Sequence, residues 1–98
     1  MERKEREKNH IDVEKIKENV AKNKRYSKEK KEILLSFALN LNDLLFEKEI
    51  SQEKFEDMCN LGGTSISRYR NGLTLPKQEN IDAIAKALGV SSEYLVGK

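Results

Sequence analysis

The sequence predicts an all-α protein, and three observations carry this prediction. Apolar residues recur at intervals of three and four beyond residue 33, which is the spacing of one face of a helix. Serines that can cap a helix precede three of these periodic segments: Ser27, Ser51 and Ser91. Asparagine and glycine follow the segments where helices would end. We therefore expect five helices, no strands and no internal repeat.

Charge divides the 98 residues into two parts. Residues 1–31 hold twelve Lys and Arg against seven Asp and Glu, a net charge of +5. Residues 32–98 hold seven against ten, a net charge of −3, and contain most of the apolar residues. We expect a charged N-terminal extension, residues 1–26, and one compact domain, residues 27–98.

The extension contains a weak helical seam, because Val13, Ile16 and Val20 lie at positions i, i+3 and i+7. Three interpretations stay open: a solvated tail, a helix that pairs with a second copy or packs back on the domain, and an arm that follows DNA phosphates. His10 has no Cys or second His near it, so we expect no metal site there.

The first helix of the domain should begin after Ser27 and run to about Lys48. Glu29 in its first turn favours this start, since the helix dipole attracts an acid there. The residues predicted to face the core are Ile33, Leu34, Phe37, Leu41, Leu44 and Leu45. Glu49 and Ile50 then form a turn without glycine.

Two short helices should follow. The first is capped by Ser51, and its inward residues are predicted to be Phe55, Met58 and Cys59. Asn60 tolerates the left-handed conformation that ends it. The second carries Ile66 and Tyr69 inward and ends at Asn71 and Gly72. Cys59 is interpreted as a core residue, because a free thiol behaves as a small hydrophobe.

The last two helices are marked by their first and last residues. Pro76 suits the first turn of the fourth helix, and Gly89 closes it. Its core positions are Ile81, Ile84, Ala85 and Leu88. Ser91 caps the final short helix, which contains Tyr94, Leu95 and Val96.

The second short helix carries the functional signal. Thr64, Ser67, Arg68 and Asn71 lie opposite its inward residues and form one continuous stripe. Hydroxyls, an arginine and an amide on one face suit hydrogen bonding to base edges and phosphates of DNA. A solvated helix face is the alternative. Arg68 is the strongest candidate for a base contact.

These segments together resemble the Xre/Cro-type, lambda-repressor-like helix-turn-helix domain. The resemblance covers about residues 41–97, and its most specific pieces are SQE at residues 51–53, ISRY at 66–69, NG at 71–72 and IAKALGVS at 84–91. It implies a dimeric regulator that binds operator DNA. It also implies that Gln52 and Lys77 hold phosphates and that Asn71 and Gly72 approach the DNA backbone. Pattern and resemblance together predict these DNA-binding residues: Gln52, Gly63, Thr64, Ser65, Ser67, Arg68, Arg70, Asn71 and Lys77.

Four residues depart from the family pattern, and one of them, Asn60, replaces the turn glycine and tolerates the left-handed conformation. Glu56 stands where a small residue is usual, so it must bend away, pair with Arg68 or Arg70, or widen the helix crossing. Gly63 has no side chain at a position that often reads a base. Arg70 stands where an acid is common, and we expect it to add positive charge near the DNA backbone.

Two functions of different classes remain open. The first is a sequence-specific transcription regulator, expected to be a repressor that binds a palindromic operator as a homodimer in the cytoplasm. The second is a protein-interaction adaptor or antitoxin-like subunit with little DNA reading of its own. The net −3 of residues 32–98 argues against strong DNA binding, and the basic extension is a hypothetical source of the missing attraction.

Other functions lack a sequence signal. The chain shows no set of nucleophile, base and orienting acid, so we do not expect an enzyme. We also expect no cofactor, no metal site and no small-molecule substrate. No segment approaches the length of a membrane span, and nothing resembles a signal peptide.

Overall fold

The computed structural model describes residues 12–98, and this part of the chain contains helices and no strand. The helices are α1 (Val13–Lys22), α2 (Lys28–Glu47), α3 (Gln52–Cys59), α4 (Gly63–Arg70), α5 (Gln78–Leu88) and α6 (Ser92–Leu95). Helices α2–α6 correspond to the five predicted helices, so the predicted all-α fold is confirmed. His10 and the rest of residues 1–11 lie outside the described residues.

Helix α2 lies at the centre of the fold and contacts α1, α4 and α6. Helix α3 packs on α4 and α5, and α5 packs on α6. The main core joins all five domain helices through these buried residues: Phe37, Leu41, Leu44, Leu45, Phe55, Ile66, Tyr69, Ile81, Ile84, Ala85, Leu88 and Leu95. The rings of Phe37 and Tyr69 meet edge to face, with centroids 6.2 Å apart. This contact fixes α4 on α2.

The predicted caps and turns are confirmed at most helix ends. The hydroxyls of Ser27, Ser51 and Ser91 each accept a hydrogen bond from a backbone N–H in the first turn of the helix that follows. Glu49 and Asn60 adopt left-handed backbone, with φ of 55° and 57°. The left-handed position of each turn, before and after α3, is therefore occupied by a residue other than glycine.

The start of α5 differs from the prediction. The helix begins at Gln78, and Lys77 precedes it in an extended conformation as the cap residue. The carbonyl of Lys77 accepts the first helical bonds, from the amides of Asn80 and Ile81, both at 3.0 Å. Pro76 therefore lies before the helix, where its side chain is buried.

The prediction that Met58 of α3 faces the core is also wrong. Phe55 is fully buried and Cys59 is half-buried against the main core, but Met58 is 40% exposed. The inward line of this eight-residue helix follows Phe55 and Cys59 at a spacing of four. Met58 falls beside that line and faces solvent. Burial raises the pKa of the Cys59 thiol to about 11, which is consistent with its interpretation as a packing residue.

Helix α1 packs back on the domain. Ile16 and Val20 are buried against Leu34 and Ala38 of α2 and form a second, smaller core. The predicted seam is therefore buried on the domain, which agrees with the second interpretation. Contact of residues 12–26 with DNA phosphates stays a prediction. Division of the chain at residue 26 stays a prediction.

Within residues 12–98, no helix combines the length and the apolar character needed to cross a bilayer.

Candidate DNA-binding surface

Helix α4 presents a polar face opposite its buried side. Ile66 and Tyr69 are buried, as predicted, while Thr64 and Arg68 are exposed. Ser65, Ser67 and Asn71 are half-buried. The structure therefore places a hydroxyl and a guanidinium fully on the outer face, one turn apart.

Asn71 closes the end of α4 rather than extending into solvent. Its side-chain amide donates to the carbonyl of Ser67 at 2.7 Å and lies 3.4 Å from the Ser67 hydroxyl. Its own carbonyl accepts a hydrogen bond of 2.9 Å from the amide of Asn19 in α1. Asn71 therefore ties the last turn of α4 to the N-terminal helix.

Gln52, predicted to hold a phosphate, is committed within the protein. Its amide nitrogen donates to a carboxylate oxygen of Glu56 at 3.2 Å and to the carbonyl of Gly63 at 3.4 Å. Its oxygen accepts a bond of 3.1 Å from Arg70. Both N–H groups of the amide are thus in use. The predicted phosphate contact would require one of these bonds to break.

The two unusual residues at the crossing of α3 and α4 lie against each other. A Cβ added to Gly63 would lie only 2.8 Å from a carboxylate oxygen of Glu56. The large residue on α3 is therefore accommodated by the absence of a side chain on α4. Glu56 is held in this place by its hydrogen bond with Gln52.

The prediction that Arg70 adds a positive charge at the surface is wrong. It is 6% exposed, and its Nε donates to the side-chain oxygen of Asn42 at 2.7 Å. The amide nitrogen of Asn42 donates in turn to the carbonyl of Arg70 at 2.9 Å. Burial lowers the pKa of the guanidinium from its ordinary value. Arg70 positions α4 on α2 and α3 instead of facing the surface.

The side chains of Asn42, Gln52, Glu56 and Arg70 form a chain of hydrogen bonds that is centred on the buried Asn42 and Arg70 and includes the half-buried Gln52 and Glu56. We call these four residues the buried polar network. Sequence reasoning did not identify Asn42, because a single amide within an apolar stripe gives no signal of its partner. Lys77 lies exposed at the start of α5, as a phosphate contact would require.

Sequence reasoning also missed a groove beside α4. The groove is lined by Asn23, Lys24, Arg25, Arg68, Leu73 and Thr74. It brings Lys24 and Arg25, from the connection between α1 and α2, next to the strongest base-reading candidate. The adjacent basic pair Lys24-Arg25 was the only signal in the sequence, and it lay among many other charges.

These features define an all-helical protein with a helix-turn-helix, α3 and α4, and a polar outer face on the second helix. A family model described as Helix-turn-helix matches residues 44–95, which is more than half of the chain. The chain therefore belongs to the Xre or lambda-repressor-like helix-turn-helix family, a family of DNA-binding transcription regulators. Searches of curated proteins and of solved structures gave no significant match.

Proposed function

We propose that this protein is a sequence-specific DNA-binding transcription regulator, acting as a repressor in the cytoplasm, that inserts α4 into the major groove. One observation carries the proposal. Thr64 and Arg68 are exposed on one face of a helix whose other face is fixed by Ile66, Tyr69 and Arg70. A rigidly positioned helix with polar groups on its free face is the arrangement that reads base edges.

Arg68 is assigned the base contact that contributes most to specificity. Its exposed guanidinium can form a bidentate pair with guanine, which discriminates by about 1–3 kcal/mol against a wrong base. Thr64 and Ser67 add hydroxyl groups on the same face. Lys77 is assigned a phosphate contact at the start of α5.

We propose a homodimer on a palindromic operator, with two copies of α4 in successive major grooves about 34 Å apart. Two surfaces are candidates for the dimer interface: the N-terminal helix α1 and the final helix α6. The seam of α1 is buried on its own domain, and Leu95 is buried in the core. Tyr94, 49% exposed on α6, is the apolar residue of that helix left for a partner.

The burial of Arg70 gives weight to the second function, a protein-interaction adaptor or antitoxin-like subunit. It removes one of the three cations expected around α4 from the surface, in a region whose net charge is −3. Met58 is an exposed apolar residue on α3 that a protein partner could cover. An adaptor would keep its partner when Arg68 is lost, whereas a regulator would lose its operator.

The test is selection of bound duplexes from a random DNA pool by the full chain, followed by affinity measurements on the enriched sequence. We expect an inverted repeat. Arg68→Ala should weaken binding by roughly 5–150-fold for each half-site, the equivalent of one bidentate base contact per copy of the protein. Arg68→Lys keeps the charge without the bidentate geometry, so it should lose specificity and retain binding to random DNA.

Lys86→Ala is the matched control, because Lys86 is an exposed cation in the last turn of α5. It removes the same charge and should leave the operator affinity nearly unchanged. A pool that stays random after several rounds would refute sequence-specific reading and favour the adaptor.

A further inference from the structure

We infer that the groove between the α1–α2 connection and α4 binds a phosphate of the DNA backbone. This basic groove consists of Asn23, Lys24, Arg25, Arg68, Leu73 and Thr74. The inference rests on the proposed function and adds a contact from Lys24 and Arg25, which lie outside the region that matches the family.

The connection that carries the two cations has a defined shape. The side-chain oxygen of Asn23 accepts hydrogen bonds from the backbone amides of Arg25 at 2.7 Å and Tyr26 at 3.1 Å. Such an Asx turn folds residues 23–26 into a tight loop. Lys24 and Arg25 lie within this loop and are both exposed.

The loop is joined at two points to the segment that follows α4. The amide of Asn23 donates to the carbonyl of Leu73 at 3.5 Å, and the backbone N–H of Leu75 donates to the Tyr26 hydroxyl at 3.1 Å. Both ends of the 23–26 loop are therefore positioned relative to α4. These hydrogen bonds position the backbone that carries the two exposed cations at the edge of the groove.

Helix α1 holds the same segment from the other side. Asn19 bonds to the carbonyl of Asn71 at 2.9 Å. Gly72 is buried so close to α1 that an added Cβ would lie 3.0 Å from a methyl of Val20 and 3.1 Å from a methyl of Ile16. The loop after α4 thus packs directly on α1, and the groove is a built junction of three segments.

The charge of the groove is uncompensated within the described residues. The ion pairs formed in residues 12–98 join Glu18 to Lys15 and to Lys22. Lys24, Arg25 and Arg68 take part in neither, and the groove lining contains no acid. Three cations without a carboxylate partner favour an anion.

The groove fits the backbone of a duplex better than a small isolated anion. It is open to solvent and has a volume of about 460 Å³. Thr74 supplies a hydroxyl for a phosphate oxygen, and Leu73, 46% exposed, supplies an apolar surface for a sugar. Arg68 belongs both to this groove and to the outer face of α4. A strand whose bases are read by α4 would therefore pass the groove with its phosphates.

The experiment compares full-length Lys24→Ala/Arg25→Ala with Lys15→Ala/Lys17→Ala, which removes the same charge from exposed positions of α1. Affinities for the selected operator and for a random duplex are measured between 50 and 200 mM salt, roughly the range over which counterion release is resolved. We expect the groove variant to lower the slope of log K against log salt by about 1–2 for each bound copy of the protein, relative to the control. Binding to both duplexes should weaken together, by about tenfold at the lower salt.

Lys24→Arg/Arg25→Lys should retain the wild-type slope, because a phosphate contact depends mainly on charge. Equal slopes and affinities for the groove variant and the control would overturn the inference while the proposed function stands. A loss confined to the operator would assign the cations to bases and also overturn it. Wild-type protein that binds neither duplex would refute both proposals.

Discussion

Helix α4 is held on one side by the buried polar network, and the loop after α4 is held by α1. In the network, side chains from α2, α3 and α4 bond to one another, and Arg70 is nearly inaccessible to solvent. At the loop, the amide of Asn19 bonds to a backbone carbonyl in a partly buried position, and that of Asn23 bonds to one that is exposed. The buried polar network orients α4 within the core. The hydrogen bonds of Asn19 and Asn23 position the loop that follows α4.

The buried polar network and the hydrogen bonds of the loop after α4 differ in what the loss of one bond costs. A buried polar network is stabilising only while every member is satisfied, because an unpaired buried group bears its full desolvation cost. Surface bonds to a carbonyl can be replaced by water at little cost. Substitutions in the network should therefore change the stability of the whole domain, whereas substitutions at the loop should act on α1 and on the basic groove.

Removal of the Arg70 side chain should have the largest effect on stability. Arg70→Ala leaves the side-chain oxygens of Asn42 and Gln52 without their guanidinium donor and opens a cavity, so we expect a loss of about 3 kcal/mol of unfolding free energy. Urea denaturation of the full chain measures it. Arg68→Ala, which truncates an exposed arginine of the same helix, should change stability by less than about 0.5 kcal/mol. Similar losses for the two variants would contradict the inward assignment of Arg70.

Two glycines with nearly equal φ allow the cost of backbone strain to be distinguished from the cost of packing on α1. Gly72 and Gly89 have φ of 71° and 73°, but only Gly72 has neighbours within 4 Å of an added Cβ. Gly89→Ala should cost about 1 kcal/mol, the penalty of a left-handed alanine. Gly72→Ala should cost about 2 kcal/mol because a methyl group must also displace Ile16 and Val20.

Hydrogen exchange provides the second measurement for this pair. Gly72→Ala should accelerate exchange of the α1 amides, while Gly89→Ala leaves them unchanged. Equal effects of the two substitutions would mean that α1 does not pack tightly on the loop.

The smallest effect is expected at the crossing of α3 and α4. Alanine favours a helix over glycine, but in the wild-type background its methyl would meet the Glu56 carboxylate. Gly63→Ala should therefore stabilise a Glu56→Ala background by about 0.5 kcal/mol and give little or no gain in the wild type. A double-mutant cycle measured by urea denaturation tests the coupling. Additive effects would show that the two residues do not influence each other.

The sequence predicted the helices well because their signals are local. A serine cap, the left-handed Asn60 and the four-residue spacing of Phe37 and Leu41 each depend on residues only a few positions apart in the chain. Met58 was misassigned because two residues three and four positions from Phe55 satisfy the same periodicity. Only the packing of α3 on α4 and α5 decides between them.

The site was less predictable because its main contacts join residues distant in the chain. Arg70 and Asn42 are 28 positions apart, and Asn19 and Asn71 are 52 apart. A charged residue on a short helix gives the same pattern whether it faces solvent or a buried amide. The exposed positions of Thr64 and Arg68 followed from helical spacing alone, and their contacts with DNA stay predictions.

The packing of Gly72 against Ile16 and Val20 has a thermodynamic consequence. A phosphate held by Lys24 and Arg25 would bind only the arrangement in which α1 is docked, because the 23–26 loop follows directly from that helix. Binding free energies are linked reciprocally, so DNA would strengthen the docking of α1 by the same factor by which docking strengthens DNA binding. A change that weakens or strengthens the docking of α1 would thus lower or raise the affinity for the operator.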